Sequence, residues 1–158
     1  MEITEPVSGE DLRQVRELFQ EYWDSFGFTP CFQGFETEVA ELPGSYAPPG
    51  GALGVLMVEG RPAGCVALRR FDETTGEFKR LYVRPGFRGR GAGRRLMEWV
   101  LSKARQLGYQ RVVADTMPQM TEALAMYERA GFHKTGPYGA NPTPGAIYLV
   151  KNLSSIST

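Results

Sequence analysis

Cysteine and histidine are almost missing from this chain, which has two cysteines, Cys31 and Cys65, and one histidine, His133. So few cysteines exclude a disulfide framework and make a reduced, cytoplasmic setting the expectation. Cys65, between Gly64 and Val66, reads as a core residue, which argues against an acyl-cysteine route. His133 has no Cys/His cluster around it, so no metal is expected, and it reads as a surface or strand residue. Net charge is missing too. The 18 basic side chains balance 18 acidic ones, which removes any general pull toward nucleic acid or an anionic membrane. No apolar run approaches the ~18 residues of a membrane span, and the first residues lack a signal-peptide layout. No repeat or low-complexity stretch is present, and only Leu153 to Thr158 reads as a loose tail. What remains is 158 residues, 42% hydrophobic. That suits a single domain over residues 1–152 with a proper core.

The informative stretch is 77–100, Glu-Phe-Lys-Arg-Leu-Tyr-Val-Arg-Pro-Gly-Phe-Arg-Gly-Arg-Gly-Ala-Gly-Arg-Arg-Leu-Met-Glu-Trp-Val. Phe78, Leu81, Tyr82 and Val83 have the β-prone character of a strand. Arg84-Pro85-Gly86 stops it. From Leu96 apolar residues return at helical spacing through Val100, Ala104 and Leu107. Between strand and helix lies Arg88-Gly89-Arg90-Gly91-Ala92-Gly93. Its glycines allow a tight turn that brings N–H groups close to a ligand. A helix start there adds a dipole that favours an anion. This composition fits a phosphate cradle, best matched to a diphosphate. The plain alternative is an ordinary turn with solvated arginines. The dinucleotide fingerprint fails in either frame, because its third glycine would be Arg94 or Leu96. The P-loop fails for want of a Gly-Lys-Ser/Thr ending. Arg88, Gly91 and Gly93 do fit a third pattern, Arg/Gln-x-x-Gly-x-Gly/Ala between strand and helix.

Taken in order, the chain opens with a short strand in residues 1–7. Ser8 is an N-cap candidate for a helix with a Leu12, Val15, Leu18, Phe19, Tyr22 stripe, running to about Phe26. Residues 28–51 are irregular, with a short helix predicted over 34–42. Phe28, Phe32, Phe35 and Tyr46 either wall a pocket or anchor this segment on the core. Strands over 52–59, 63–71 and 77–83 form an antiparallel meander. The strand 111–116 follows a crossover helix and is therefore expected parallel to the one before it. A helix over 121–129 and a strand pair, 132–135 and 146–151, complete the chain. Asp115 either binds an amine or caps a turn, and Asn141-Pro142 either borders an acceptor or makes a turn.

The cradle, this element order and the Tyr127-Glu-Arg-Ala-Gly-Phe132 ending together resemble the GNAT N-acetyltransferase superfamily over residues 2–152. Residues 34–51 and Tyr138-Gly-Ala-Asn-Pro142 also look like a large bacterial branch of it. The resemblance implies an α/β (α+β) fold. Its sheet is mixed and mostly antiparallel, flanked by helices, with a parallel central strand pair splayed around acetyl-CoA. It implies that Arg88, Gly89, Arg90, Gly91, Ala92, Gly93 and Arg94 hold the pyrophosphate, and that Leu81, Tyr82 and Val83 meet the pantetheine arm. It makes the Leu81 N–H the donor to the thioester oxygen. Glu77 lies where the histone-acetyltransferase branch carries its catalytic glutamate; unaided by that likeness, it reads as a strand residue paired with Lys79 or an arginine. Tyr127 becomes the acid for the leaving thiolate, against a plain reading as a core tyrosine. One departure is Met120, where the family often has a cofactor-binding asparagine. The implied activity is acyl-CoA-dependent N-acylation of an amine, with a non-catalytic acyl-CoA-binding regulatory domain as the alternative. Dimers are common on this fold, but nothing in the sequence specifies one.

Overall fold

The protein is represented by a computed structural model describing residues 1–6, 9–25, 35–118, 120–138 and 145–153. The elements are β1 (Glu2–Thr4), α1 (Gly9–Asp24), α2 (Phe35–Ala40), β2 (Ala52–Val58), β3 (Arg61–Arg70), β4 (Thr75–Val83), α3 (Ala92–Gln106), β5 (Arg111–Thr116), α4 (Thr121–Arg129), β6 (His133–Thr135) and β7 (Ile147–Asn152). The strands form one sheet in the order β1-β2-β3-β4-β5-β7-β6. Every neighbouring pair is antiparallel except β4 with β5, as the crossover through α3 requires. Among the described residues no helix is long and apolar enough to cross a membrane.

Two apolar clusters cover the two sheet faces. On one, Leu96, Val100 and Ala104 of α3 and Tyr127 of α4 meet Leu56, Val66, Leu68, Phe78 and Val112. On the other, Leu12, Val15, Leu18 and Phe19 of α1, with Phe35 and Tyr46, cover Leu53, Val55, Cys65 and Ala67. Phe35 and Tyr46 therefore anchor their segment on the core. Cys65 is buried at 1% exposure, and burial pushes its thiol well above the usual range.

The parallel ladder is short. It pairs Thr75 with Arg111, Gly76 with Val112 and Glu77 with Val113, then stops. β5 continues to Thr116 against β7 instead. The C-terminal halves of β4 and β5 thus splay, which is the crevice expected of open α/β sheets.

Several boundaries differ from those read off the sequence. β4 begins at Thr75 rather than Glu77, because the Thr74 N–H bonds Asp72 Oδ1 at 2.9 Å and tightens the hairpin. The helix expected over 34–42 shortens to Phe35–Ala40, ahead of Pro43. Helix α1 ends at Asp24, where the Ser25 hydroxyl takes the Tyr22 carbonyl at 2.6 Å. Ser8, Phe28, Cys31, Phe32, Asn141 and Pro142 lie outside the described residues.

Candidate active site

The glycine-rich turn sits beyond the C-terminal end of β4, at the start of α3. Gly89 and Gly91 both have φ of +81°, where a Cβ would cost about 1–2 kcal/mol. Gly91 is the helix N-cap and has no side chain to offer. The first helical N–H groups have no acceptor one turn back. Only at Arg95 does the ladder close, onto the Gly91 carbonyl at 3.0 Å. Gly93 serves a different purpose: a Cβ there would lie 3.1 Å from Met126 Sδ, so its absence lets α3 approach α4. Arg88 folds back, its Nε donating to the Val83 carbonyl at 2.9 Å, while Arg90 lies over the Phe87 ring. Arg84 is fixed by Glu21 of α1 at 2.6 Å. The turn is therefore tied to β4 and its flanks, while the first N–H groups of α3 lack an acceptor within the helix.

Upstream, β4 carries a bulge. Cys65 pairs with Tyr82 but Ala67 with Lys79, so Val66 alone opposes both Arg80 and Leu81. Arg80 adopts φ of +63°, rare for a bulky residue. It is 5% exposed and makes a fork to Glu38 of α2, Nε and Nη2 at 2.8 and 2.9 Å. The Cys65 thiol donates to the Arg80 carbonyl at 3.3 Å. One consequence is that Lys79 and Arg80, though adjacent, both serve the α1/α2 face. The other is that Leu81 falls where neither the β3 nor the β5 register continues.

On that same face Glu77 is 5% exposed. Arg69, its cross-strand partner, places Nε and Nη2 at 2.9 and 2.8 Å from Oε1. The Tyr138 hydroxyl donates to Oε2 at 3.0 Å. Lys79 Nζ lies 3.7 Å from that oxygen and 3.4 Å from Asp115 Oδ1, bridging the splay. Burial, then the Glu77 charge, push the Tyr138 phenol far above its ordinary value. The ion-pair reading of Glu77 is thus realised, with Arg69 as the arginine. Asp115 pairs with Lys79 at the crevice. His133 is exposed on β6.

Tyr127 is 6% exposed, its ring edge-on to Phe78 at 5.4 Å and tilted against Phe132 at 5.9 Å. Burial raises its phenol above the usual range, and the charges of Tyr22 and Asp115 add to that. Met120, at the start of α4, accepts the Thr116 hydroxyl on its sulfur at 3.6 Å.

Residues 12–132 match the model of the acetyltransferase (GNAT) family. This chain belongs to the GNAT family of N-acetyltransferases. An uncharacterized N-acetyltransferase of Schizosaccharomyces pombe is 37% identical over 147 residues, which are 92% of this chain and 90% of that one. The GNAT fold is shared with an acetyltransferase from Streptococcus agalactiae at TM-score 0.81 and 24% identity, over 96% and 98% of the two chains. An aminoglycoside 6'-N-acetyltransferase complexed with coenzyme A aligns over 100% of both chains, at TM-score 0.73 and 15% identity.

Four residues of this site escaped the sequence reading: Arg69, Arg80, Glu38 and Tyr138. Arg69 opposite Glu77 was accessible from hairpin register. The Arg80–Glu38 pair carried no local signal.

Proposed function

We propose that this GNAT enzyme transfers the acetyl group of acetyl-CoA to an amine by direct attack in a ternary complex. The observation that carries this reading is the alignment of two features along β4. A glycine turn opening a helix lies past its end, and the bulge at Arg80 takes Leu81 out of the β3 and β5 registers. The first suits a pyrophosphate. The second suits the oxygen of a thioester, where a fixed donor stabilises the tetrahedral oxyanion. Leu81, Tyr82 and Val83 give the pantetheine arm a strand-like neighbour, and Arg88 to Arg94 bind the diphosphate.

The amine must shed a proton, since a lysine-like amine has a pKa of about 10.4. Glu77 is the base in this reading, with Tyr138 and Arg69 orienting it. The amine nitrogen adds to the carbonyl carbon to give the tetrahedral oxyanion, and its collapse re-forms the carbonyl and breaks the carbon–sulfur bond. Tyr127 then gives its proton to the departing sulfur.

A melt with excess acetyl-CoA tests the cradle. At a hundredfold excess over Kd, linkage supplies ~2.7 kcal/mol, a rise in Tm of about 5–10 °C for this size. Gly91→Val forces a β-branched residue to φ +81°, and more than half of that rise is expected to vanish. An unchanged rise returns the turn to an ordinary loop.

Glu77→Gln keeps the shape and the Tyr138 contact but removes the charge. The expected result is a kcat about 10²-fold lower at an unchanged KM for acetyl-CoA. An unaltered kcat assigns Glu77 to the ion-pair scaffold and the base to water.

A further inference from the structure

The face of β5, β7 and β6 away from α3 and α4 carries no helix among the described residues. A cavity of about 310 Å³ lies on it, walled by Phe71, Val113, Val150 and Tyr138 and reaching Thr75 and Arg111. Phe71 is 41% exposed at its edge, with its ring edge-on to Tyr138 at 5.3 Å. The two rings line the mouth of the cavity with apolar surface.

Arg111 distinguishes this cavity. Its Nε donates to Thr75 Oγ1 at 2.8 Å, which fixes the guanidinium. Other cations of this face are neutralised: Arg69 by Glu77, Lys79 by Asp115, Arg80 by Glu38 and Arg84 by Glu21. Among the described residues Arg111 pairs with no carboxylate. The cavity therefore carries an exposed positive charge, tethered at Nε, beside Phe71, Val113 and Val150. It also adjoins the reacting region, because Tyr138 is both its wall and the donor to Glu77.

We propose that the acceptor is a peptide-like amine whose carboxylate, held by Arg111, lies four to six residues from the reacting nitrogen. This rests on acetyl transfer at Leu81. From Thr75 to the Lys79–Leu81 region is four to six strand positions, about 13–20 Å at ~3.3 Å per residue. An extended peptide covers roughly the same rise per residue. A free amino acid is too short to reach both ends. Phe71, Val113 and Val150 then pack the uncharged middle of the acceptor, and Arg111 selects its anionic end by a charge-assisted hydrogen bond.

The test compares CoA release with three acceptors: penta-alanine, its C-terminal amide, and Ala-Ala-Ala-Ala-Glu amide. The third separates a terminal from a side-chain carboxylate. At least one carboxylate-bearing peptide is expected to show a KM about ten- to a hundredfold below that of the plain amide. Arg111→Gln erases this gap, and Arg111→Lys restores part of it. Equal KM values for acid and amide overturn the proposal, as does a gap that survives Arg111→Gln. Release with small amines but none with the pentapeptides overturns it while leaving acetyl transfer standing. No release with any amine overturns the transfer reading and this proposal together.

Discussion

Tyr127→Phe lowers kcat for acetyl transfer by about 10²–10⁴-fold, the range for loss of a positioned proton donor. The acetyl-CoA-dependent rise in Tm stays intact. The separation is sharp because the ring and the hydroxyl do different jobs. The ring is core, packed on Phe78 and Phe132, and phenylalanine preserves it. In the proposed mechanism the hydroxyl is the proton source for the leaving sulfur. Burial raises its phenol and keeps it protonated. Continuous measurement of acceptor-dependent thiol release checks the first half, and a melt checks the second. Equal turnover in both proteins makes Tyr127 a core tyrosine and gives the leaving thiolate its proton from water. A domain that only bound acyl-CoA would show the melt shift in both proteins and turnover in neither.

The parts legible in the sequence were those written locally. Strand alternation, the glycine spacing and the crossover helix each act within about 30 residues, and together they set the sheet order around the parallel pair. The tight turn ahead of α3 was legible because αL turns demand glycine, as Gly89 and Gly91 show. The bulge was not. Phe-Lys-Arg-Leu-Tyr carries no glycine or proline to mark it, and simple alternation assigns Arg80 and Phe78 to one face. In the fold Phe78 joins the α3/α4 core while Arg80 turns to α2. Its partner Glu38 is 42 positions away, and the donor on Glu77, Tyr138, is 61 away. Such pairs are decided by tertiary packing, which periodicity does not encode. The link between the strands 63–71 and 77–83 is intermediate: the meander implies a turn there, but the bond of Thr74 to Asp72 is what extends β4 backward.

Glu38→Ala is expected to cost about 3–5 kcal/mol, because it leaves the Arg80 guanidinium buried without a counter-charge. For this chain length that is a fall in Tm of about 6–20 °C. The effect extends to chemistry. Arg80 holds φ of +63°, an arrangement that needs its side chain pinned, and Leu81 follows it directly. Release of the fork lets the bulge relax and turns the Leu81 N–H from the thioester oxygen, an interaction whose loss costs ~10²–10³ in kcat elsewhere. Instability alone also reduces activity, so a second variant separates the two. Replacing both partners with apolar residues, Glu38→Leu with Arg80→Met, removes the unpaired charge and is expected to recover most of the stability. It does not restore the fork. Assayed well below both melting temperatures, the double variant keeps a normal KM for acetyl-CoA but a depressed kcat if the pair positions Leu81. Recovery of kcat along with Tm shows instead that the pair only stabilises α2 against the sheet, and that the bulge holds its own shape.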